Sequence, residues 1–584
     1  MARDLLSEWS ALLVESLLQG GVRDFVVSPG SRSTPFVLAA AGHPEVRCWD
    51  VLDERSAAFF ALGQAKASGR PSLALCTSGT AGAHYFPAVV EAAMSFTPLL
   101  VLTADRPLEL QGCGAPQTVD QVKLFGDRVR GFFELGLPDG SPSALRGLRR
   151  LVAQAIHASR WPTPGPVHLN ARARKPLEPR EADGDAERRI AERVQILRAE
   201  AAPRIHPPRS RPSPEALDAL AGRLAAAERP LVVAGPAPSS QGAARSAVAE
   251  LVRRSGAVLL REAASQLRSP AVPGVDGFDV LLDAGEARTR LMPDLVLQLG
   301  AAPTSAALAS HLGARPGLER WVAGPHGWND PENAAAELVV GEIADVAEGL
   351  VERLPASAVE PSPWQRRWQG AEAIARRVLD EVANGPFSEG VAVRILAETL
   401  EPDATLFVGN SLAIRELDLF CPARAGERPL LSQRGANGID GLVSGAAGAA
   451  SATGRVTLLL GDVSFLHDVG GLWAARLVGS RLTVVVLHNQ GGRIFEDLPL
   501  GRAGVADAMR HFTTPHALGL AAAAALYGLE HRRASGAAEL RAALVDRGGG
   551  EKARLIEVAV PPEGLGRLRG EIVRRLSAEL GGTL

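Results

Sequence analysis

Lysine is nearly absent from this 584-residue chain. The 63 basic residues are set against 65 acidic ones, for a formal charge of -2, and all but four are arginine; the lysines are Lys66, Lys123, Lys175 and Lys552. No basic block stands out, so nucleic acid is not expected as a partner, because polyanion binding requires a concentrated basic face or tail. The planar guanidinium of arginine suits carboxylate binding. Genome composition is the other explanation for the arginine excess.

Cysteine and long apolar runs are scarce as well. The four cysteines are too far apart for a CxxC pair, which argues against a thiolate metal site or a disulfide framework. Asp4 and Glu8 stand where a signal peptide would need a basic region followed by an apolar core. The low-polarity run at 518–529 is shorter than the ~20 residues of a membrane helix. We therefore expect a cytoplasmic protein without a membrane span.

Proline-rich and charged stretches at 178–189, 202–215 and 354–364 are predicted to be linkers. They divide the chain into segments 1–182, 183–358 and 359–584. Within each segment, near-continuous apolar runs alternate with alanine-rich helical stretches, a pattern typical of parallel sheets covered on both faces. The sequence predicts three doubly wound α/β domains. Their ligands are expected beyond the carboxyl ends of the strands, where polar and glycine residues collect in the first and third segments.

The sharpest local feature is the stretch 455–492, which predicts strand, turn, helix, strand and turn. A right-handed crossover would bring Asp462 and Asn489, which are 27 residues apart, to one edge of the sheet. A carboxylate, an amide oxygen and a loop carbonyl, assigned to Gly491, suit Mg²⁺ when phosphate oxygens complete its shell. Gly491 and Gly492 are expected to let the backbone approach a diphosphate, and Gly461 to free the turn that presents Asp462.

Strand-Gly-Asp turns are common in α/β proteins, so one such turn is weak evidence. The 27-residue spacing in this context is rarer, and it resembles the metal signature of thiamine-diphosphate enzymes. Two departures are visible: Val463 replaces a frequent motif glycine, and Gln490 replaces a second asparagine. Neither departure removes a predicted ligand atom.

Thiamine diphosphate needs an acid at its pyrimidine nitrogen to become reactive. Glu54 fits this role, because it follows an extended run and opens an alanine-rich helix. The alternative is that Asp53, Glu54 and Ser56 only cap that helix. The metal motif elsewhere in the chain favours catalysis.

Further motifs resemble one family within this group, the 2-succinyl-5-enolpyruvyl-6-hydroxy-3-cyclohexene-1-carboxylate synthases of menaquinone biosynthesis. The resemblance covers the first and last segments nearly end to end. It is carried by SPGSRSTP, DERSAAFFALGQAKASG, TSGTAGAHYFPAVVEA, PLLVLTADRP, GCGAPQT, GPVHLN, FVGNSLAIRELD, RGANGIDG, GDVSFLHDVGGLWAA and NQGGRIF.

The resemblance implies a pyrimidine-binding, a middle and a diphosphate-binding domain, matching the three segments in that order. It implies a homodimer or homotetramer in which the first and third domains meet across a subunit interface. It also implies thiamine diphosphate with Mg²⁺, or Mn²⁺ in its place. The implied reaction decarboxylates 2-oxoglutarate and adds the succinyl unit to isochorismate in a 1,4-addition.

The resemblance also implies roles for individual residues. Ser411, Arg415 and Arg434 would hold the succinyl carboxylate, and Ser31, Arg32, Arg106 and Gln117 would line the isochorismate side. Ile439 would support the bent cofactor. The implied cofactor contacts are Glu54, Ile439, Gly461, Asp462, Val463, Ser464, Asn489, Gly491, Gly492, Ile494 and Phe495, with Asp462, Asn489 and Gly491 on the metal.

Each assignment has a plainer alternative: Ser31 and Ser411 as helix caps, Arg106 as a strand terminator, Ile439 as core. One departure concerns the middle segment, where the family carries cations and this chain has Thr304, Ser305 and Ala306, with no cation before Arg315. Either another arginine takes over, or the carboxylate is held more weakly there.

Two other functions are open on the sequence. A 2-oxo acid decarboxylase or acetohydroxyacid synthase would share Glu54 and the metal motif. Such enzymes commonly use histidines, and His84, His467 and His488 are expected to form no close pair; the middle segment also lacks the GxGxxG of a dinucleotide site. A non-catalytic cofactor-binding subunit would not require both Glu54 and the arginine set.

Overall fold

The predicted α/β class is confirmed: the chain forms three parallel sheets flanked by helices. The computed structural model describes residues 2–285, 287–355, 360–401, 403–423, 428–503, 506–546, 550–562 and 564–581. The predicted boundary between the second and third segments lies outside them. None of the helices in these ranges is long and apolar enough to cross a membrane. The contacts group the chain into two compact units, one of residues 1–208, 433–456 and 467–482, and one of residues 209–432, 457–466 and 483–584.

The first unit contains a six-stranded sheet in the order β2-β1-β3-β4-β6-β5. Every strand pair in it is parallel, for example Val27 opposite both Asp50 and Leu75. The strands are β1 Asp24–Val27, β2 Arg47–Asp50, β3 Ser72–Cys76, β4 Leu99–Asp105, β5 Phe132–Gly136 and β6 Pro166–Arg172. The helices are α1 Leu5–Gln19, α2 Thr34–Ala41, α3 Glu54–Ser68, α4 Ala81–His84, α5 Phe86–Met94, α6 Pro142–Ala158 and α7 Gly184–Ala199.

The second unit contains two sheets. The five-stranded sheet has the order β11-β10-β9-β7-β8. Its strands are β7 Pro230–Ala234, β8 Val258–Arg261, β9 Leu295–Leu299, β10 Glu319–Gly324 and β11 Glu337–Val340. The helices in this part of the chain are α8 Pro214–Ala226, α9 Arg245–Ser255, α10 Phe278–Leu281, α11 Ala287–Arg290, α12 Ala306–Gly313 and α13 Ile343–Arg353.

The other sheet of the second unit has six strands in the order β13-β12-β14-β15-β17-β16, the same pattern as the sheet of the first unit. Its strands are β12 Thr405–Val408, β13 Leu430–Ser432, β14 Val456–Gly461, β15 Leu482–His488, β16 Glu530–Ala534 and β17 Arg554–Ala559. The helices are α14 Pro363–Ala383, α15 Glu389–Thr399, α16 Leu412–Phe420, α17 Leu442–Thr453, α18 Asp462–His467, α19 Leu472–Val478, α20 Ile494–Asp497, α21 Pro499–Arg502, α22 Ala506–Thr513, α23 Ala521–Tyr527, α24 Ala537–Val545 and α25 Gly564–Leu580. Of these helices, α17 and α19 group with the first unit.

The central strands are buried on both faces, as their apolar sequences predict. All seven residues of β4 are buried, and so are the first six of β15. Such strands must be covered by helices on both sides of the sheet. Their polar ends are therefore the places where the chain can present functional groups.

The linker expected over 178–189 ends in a helix, which is a correction. Helix α7 begins at Gly184 and buries Ala191, Val194 and Leu197. These residues recur at the three-residue spacing of one helix face, and α7 packs against α1 of the same unit. The charged residues that suggested a linker lie at the start of this amphipathic helix, where its first turn faces solvent.

Helices α3 and α17 pack closely within the first unit because glycines face backbone. A Cβ added at Gly63 would lie 1.9 Å from the Gly445 carbonyl oxygen, and one added at Gly448 would lie 1.9 Å from the Phe60 carbonyl oxygen. No side chain fits at those distances. This contact fixes α3, whose first residue is Glu54, against α17, which follows Ile439 in the chain.

Candidate active site

Asp462 lies at the carboxyl end of β14 and begins α18. Its side chain is 2 % exposed. One carboxylate oxygen, Oδ1, accepts the backbone N–H of Val463 at 2.7 Å, and the other, Oδ2, accepts the N–H of Gly491 at 3.1 Å. The structure thus brings Asp462 and the loop after β15 together, as the crossover argument predicts.

Asn489 follows β15 and is also buried. Its side-chain nitrogen donates to Glu389 Oε1 at 2.6 Å, and this contact orients the amide. The amide oxygen is buried and accepts no hydrogen bond from the described residues. A buried acceptor without a donor is costly. The oxygen is therefore suited to a ligand that brings positive charge.

Glu389 is the first residue of α15 and has a second acid beside it, Glu416 of α16. Burial, and then the Glu389 carboxylate, raise the pKa of Glu416 well above its ordinary value. Burial and the neighbouring carboxylate thus favour the neutral form of Glu416 over a second negative charge beside Glu389. No sequence pattern pointed to either residue.

Two of the three glycines predicted to shape this site behave differently. Gly491 has φ of +152°, and a Cβ there would lie 2.7 Å from the Thr513 carbonyl oxygen, so the loop requires glycine. The prediction that Gly461 frees the turn before Asp462 was wrong. Its φ lies outside the left-handed region, and a Cβ would meet no atom within 4 Å.

The remaining predicted cofactor residues follow Asp462 or Gly491 closely in the sequence. Val463 contributes the backbone N–H to Asp462, and Ser464 is buried. Gly492 donates its N–H to the Thr513 carbonyl at 2.7 Å. Ile494 begins α20 and packs on the core, and the Phe495 ring lies 5.8 Å from that of Phe512.

Glu54 is the first residue of α3 and is half-buried. Asp53 supplies the cap, because its carboxylate accepts the Ser56 N–H at 3.0 Å. Capping therefore does not require Glu54, which weakens the plainer explanation for this residue. Its carboxylate is near the buried Cys76 thiol, whose pKa is raised by burial first and by Glu54 in addition.

A loop in the first unit carries Arg434 and Ile439, both half-buried. Glu91, buried on α5, accepts the N–H groups of Gly435 at 3.1 Å and Ala436 at 2.7 Å and pairs with Lys66 at 3.2 Å. The half-exposed Ile439 is outside the buried core, so the alternative of a core residue does not describe it. Glu91 was not predicted.

The arginines expected on the isochorismate side lie close together in the first unit. Arg32 is buried and donates to the Ala173 carbonyl at 2.7 Å. Burial first, and then the nearby Arg106, lower its pKa. Arg106 Nε in turn donates to the Gln117 carbonyl oxygen at 3.1 Å, and Gln117 has φ of +52°. An anion beside these two guanidinium groups would reduce the repulsion between their charges.

The two serines proposed beside the substrates are not typical caps. Ser31 is exposed, and the N-cap of α2 is Ser33. Ser411 occupies the N-cap position of α16 but its side chain caps nothing, and its backbone has φ of +67° and ψ of -129°. Such a conformation is strained for a non-glycine residue. Arg415 Nη1 donates to the Ser411 carbonyl at 2.7 Å, which ties the two residues together.

The backbone at 304–305, where the resemblance led us to look for a cation, contacts a buried acid. Glu262 is buried and accepts the N–H groups of Thr304 and, at 3.0 Å, Ser305. Burial, then Asp418, raise its pKa to about 8. Ser305 caps α12, and Arg315 donates to the Pro293 carbonyl. The backbone N–H groups of residues 304 and 305 therefore donate hydrogen bonds to Glu262.

Two histidines beside Asp462 form a pair that the sequence reasoning did not predict. The rings of His488 and His516 stack with centroids 5.5 Å apart and planes 16° apart. His516 was overlooked because it is 28 residues beyond the end of β15, after the short helices α20, α21 and α22. The sequence TTPHALG, with proline before the histidine, was its one local signal.

Comparison with known proteins identifies the family of this chain. Residues 8–124 match the family model "Thiamine pyrophosphate enzyme, N-terminal TPP binding domain". The chain is 48 % identical over 575 residues to the 2-succinyl-5-enolpyruvyl-6-hydroxy-3-cyclohexene-1-carboxylate synthase of Sorangium cellulosum, covering 96 % of this chain and 93 % of the relative. The synthase of Geobacillus kaustophilus is 41 % identical, with 92 % of each chain covered.

Among solved structures, benzoylformate decarboxylase from Polynucleobacter necessarius superposes with a TM-score of 0.70. The match covers 95 % of this chain and 99 % of that one at 16 % identity. At this identity the likeness shows a shared fold.

Proposed function

The chain belongs to the 2-succinyl-5-enolpyruvyl-6-hydroxy-3-cyclohexene-1-carboxylate synthase family, and from that premise we propose which of its residues carry the reaction. It is a thiamine-diphosphate-dependent transferase of menaquinone biosynthesis. The proposed reaction decarboxylates 2-oxoglutarate and adds the succinyl unit to isochorismate by 1,4-addition. The proposed working form is a homo-oligomer.

The observation that carries the proposal is the buried amide oxygen of Asn489 beside the Asp462–Gly491 contact. A carboxylate, an amide oxygen and a backbone carbonyl are hard oxygen donors of low total charge, which suit Mg²⁺ carrying phosphate oxygens. Asp462, Asn489 and the Gly491 carbonyl would hold the metal, or Mn²⁺ in its place. Glu389 would keep the Asn489 oxygen available by holding the amide nitrogen.

Thiamine diphosphate, when bound, supplies the nucleophilic carbon and the electron sink for 2-oxo acid decarboxylation. Glu54 would hold a proton at the pyrimidine nitrogen, as general acid–base catalysis requires. Ile439, on the loop anchored by Glu91, would support the cofactor from its apolar side.

The substrates are dianions, so their binding requires cations that do not deliver protons to a carbanion. Arginine meets this condition because it stays charged. Ser411, Arg415 and Arg434 would hold the distal carboxylate of 2-oxoglutarate. Arg32, Arg106, Gln117 and Ser31 would bind isochorismate. The positive charge of Arg106, after burial, lowers the pKa of Arg32, and a bound anion would offset this repulsion.

Reconstitution tests the cofactor assignment. Metal-free, cofactor-free protein should release CO₂ from 2-oxoglutarate only when thiamine diphosphate and Mg²⁺ are both added, and Asp462→Asn should lose cofactor binding. Release of CO₂ without thiamine diphosphate would contradict the assignment.

The subunit arrangement has its own test. If Glu54 of one subunit acts with Asp462 of the partner subunit, two inactive variants, Glu54→Gln and Asp462→Asn, should restore activity when unfolded and refolded together. In a dimer that pairs at random, about a quarter of the sites would be intact. No recovery in verified mixed dimers would contradict an interface site.

A further inference from the structure

We propose that Asp462, His488 and His516 form a second metal-binding set, one that takes a borderline divalent cation such as Zn²⁺ or Co²⁺ in the cofactor-free protein. Among the described residues they are the one group of three histidine, cysteine or acidic side chains whose donor atoms all lie within 4.8 Å of one another. Imidazole and carboxylate donors suit such ions, whereas Mg²⁺ prefers oxygen alone. This set differs from the all-oxygen set proposed above because two of its three donors are imidazole nitrogens. The proposal does not rest on the proposed function.

The distances match tetrahedral coordination. Oδ2 of Asp462 lies 3.4 Å from His516 Nε2 and 3.9 Å from His488 Nε2. Ligand atoms bound ~2.0–2.1 Å from a tetrahedral ion are about 3.4 Å apart. Two of the three donor separations are therefore near the edge length that a tetrahedral ion requires, the two imidazole nitrogens lie within 4.8 Å of each other, and water can fill the fourth position.

Both imidazole donors are free to take a ligand. The Nε2 atoms of His488 and His516 are buried and make no hydrogen bond with the described residues. The His488 side chain is only 9 % exposed. Burying two ring nitrogens beside a carboxylate without satisfying them is unfavourable, and a shared cation would satisfy both.

Glu557 supplies the outer contact that metal-binding histidines commonly have. The other ring nitrogen of His488, Nδ1, lies 3.0 Å from Glu557 Oε1 and donates to it, because a carboxylate can only accept. This tautomer leaves the Nε2 lone pair available on the side of Asp462. His531 donates to the other Glu557 oxygen at 3.0 Å and holds that carboxylate in place.

His516 has one competing contact. The Leu518 N–H lies 3.4 Å from His516 Nδ1, which is long for a hydrogen bond. Leu518 is itself exposed, so its N–H can bond to water instead. Because Nδ1 accepts in this contact, the neutral ring carries its proton on Nε2, and a metal at Nε2 requires the other tautomer; only the weak Leu518 contact is lost in that change.

The two metal sets share Asp462, which has a direct consequence. A cation held by the two imidazoles and Asp462 Oδ2 occupies the carboxylate that the diphosphate-bound metal would use. The two metals therefore compete for the Asp462 carboxylate, and bound Zn²⁺ should weaken Mg²⁺-dependent cofactor binding.

Titration of the full-length, metal-free and cofactor-free protein with Co²⁺ tests the site by visible absorbance. We expect about one Co²⁺ per chain with the intense d–d bands of a tetrahedral N/O site, and displacement by Zn²⁺, which binds such ligands more tightly. His488→Gln and His516→Gln should each weaken Co²⁺ at least tenfold. Glu557→Gln should weaken it by about 10–100-fold.

His206→Gln is the matched control, since His206 is exposed and lies outside this cluster, and it should bind Co²⁺ like the parent protein. Thermal melting identifies any variant that fails to fold. Co²⁺ binding that survives both His488→Gln and His516→Gln would overturn the proposal, and so would the pale spectrum of octahedral Co²⁺. Thiamine diphosphate is absent throughout, so a failure here is distinct from a failure of the proposed reaction.

Discussion

The side-chain nitrogen of Asn489 donates to Glu389 Oε1 at 2.6 Å, and the amide oxygen of the same residue is buried without a donor among the described residues. Glu389 therefore decides which end of the amide is available. This acid acts on the predicted metal site through another residue and has no predicted contact with the cofactor.

Removing the Glu389 carboxylate should weaken metal-dependent cofactor binding. Glu389→Ala leaves the Asn489 amide free to rotate, and loss of an outer-shell partner costs about 10–100-fold in metal affinity. Glu389→Gln keeps an acceptor and should recover much of the loss. The measurement is the Mg²⁺ dependence of thiamine diphosphate binding, with Glu398→Gln, exposed on the same helix, as control. Equal affinities in the alanine and parent proteins would show that Glu389 does not orient Asn489.

Variants of Glu54 and of its neighbour Asp53 should distinguish a catalytic role from a helix-capping role. Glu54→Gln should lower turnover by about 10²–10⁴-fold, the range for a lost acid–base group, with little change in cofactor affinity. Asp53→Ala should instead cost about 0.5–2 kcal/mol of stability through the lost cap. Turnover and urea unfolding of both variants provide the check. If Glu54→Gln turned over normally, Glu54 would have no catalytic part.

The sequence predicted the relationships that strand order determines. Asp462 and the loop at Gly491 meet because both follow strands of one parallel sheet, and apolar runs such as β4 and β15 identified those strands. Side-chain contacts between residues far apart in the chain have no local sequence motif from which they could be predicted. Glu389 is 100 residues from Asn489, and Glu91 is 344 residues from Gly435.

Other misses have local physical reasons. The charged start of α7 resembled a linker because its first turn is solvent-exposed. Gly461 looked conformationally necessary, but its backbone is ordinary. His516 could not be paired with His488 without the path of the chain after β15.

Arg415→Ala should raise the KM for 2-oxoglutarate more than it changes cofactor affinity. A hydrogen-bonded charged partner contributes about 1.5–3 kcal/mol, which corresponds to roughly 10–150-fold. Arg146→Ala, an exposed arginine of α6, is the matched control. A variant that bound 2-oxoglutarate normally but lost thiamine diphosphate would sink the assigned role.

Stability should fall as pH rises, in part through Glu262. Its pKa is raised from 4.5 to about 8, by burial and then by Asp418. Between these values the folded protein holds a proton that the unfolded chain does not, so each pH unit costs at most ~1.4 kcal/mol. Urea midpoints at pH 6 and pH 8 should differ less in Glu262→Gln than in the parent protein. Identical differences in the two proteins would rule out this contribution.

Substrate choice tests the central claim most directly. Protein supplied with Mg²⁺ and thiamine diphosphate should consume 2-oxoglutarate and isochorismate in equal amounts, release one CO₂ per turnover and form the succinyl adduct, which NMR and mass spectrometry identify. Pyruvate in place of 2-oxoglutarate should give little reaction, because it lacks the distal carboxylate that Arg415 and Arg434 would hold. Consumption of pyruvate with isochorismate left unchanged would contradict the account.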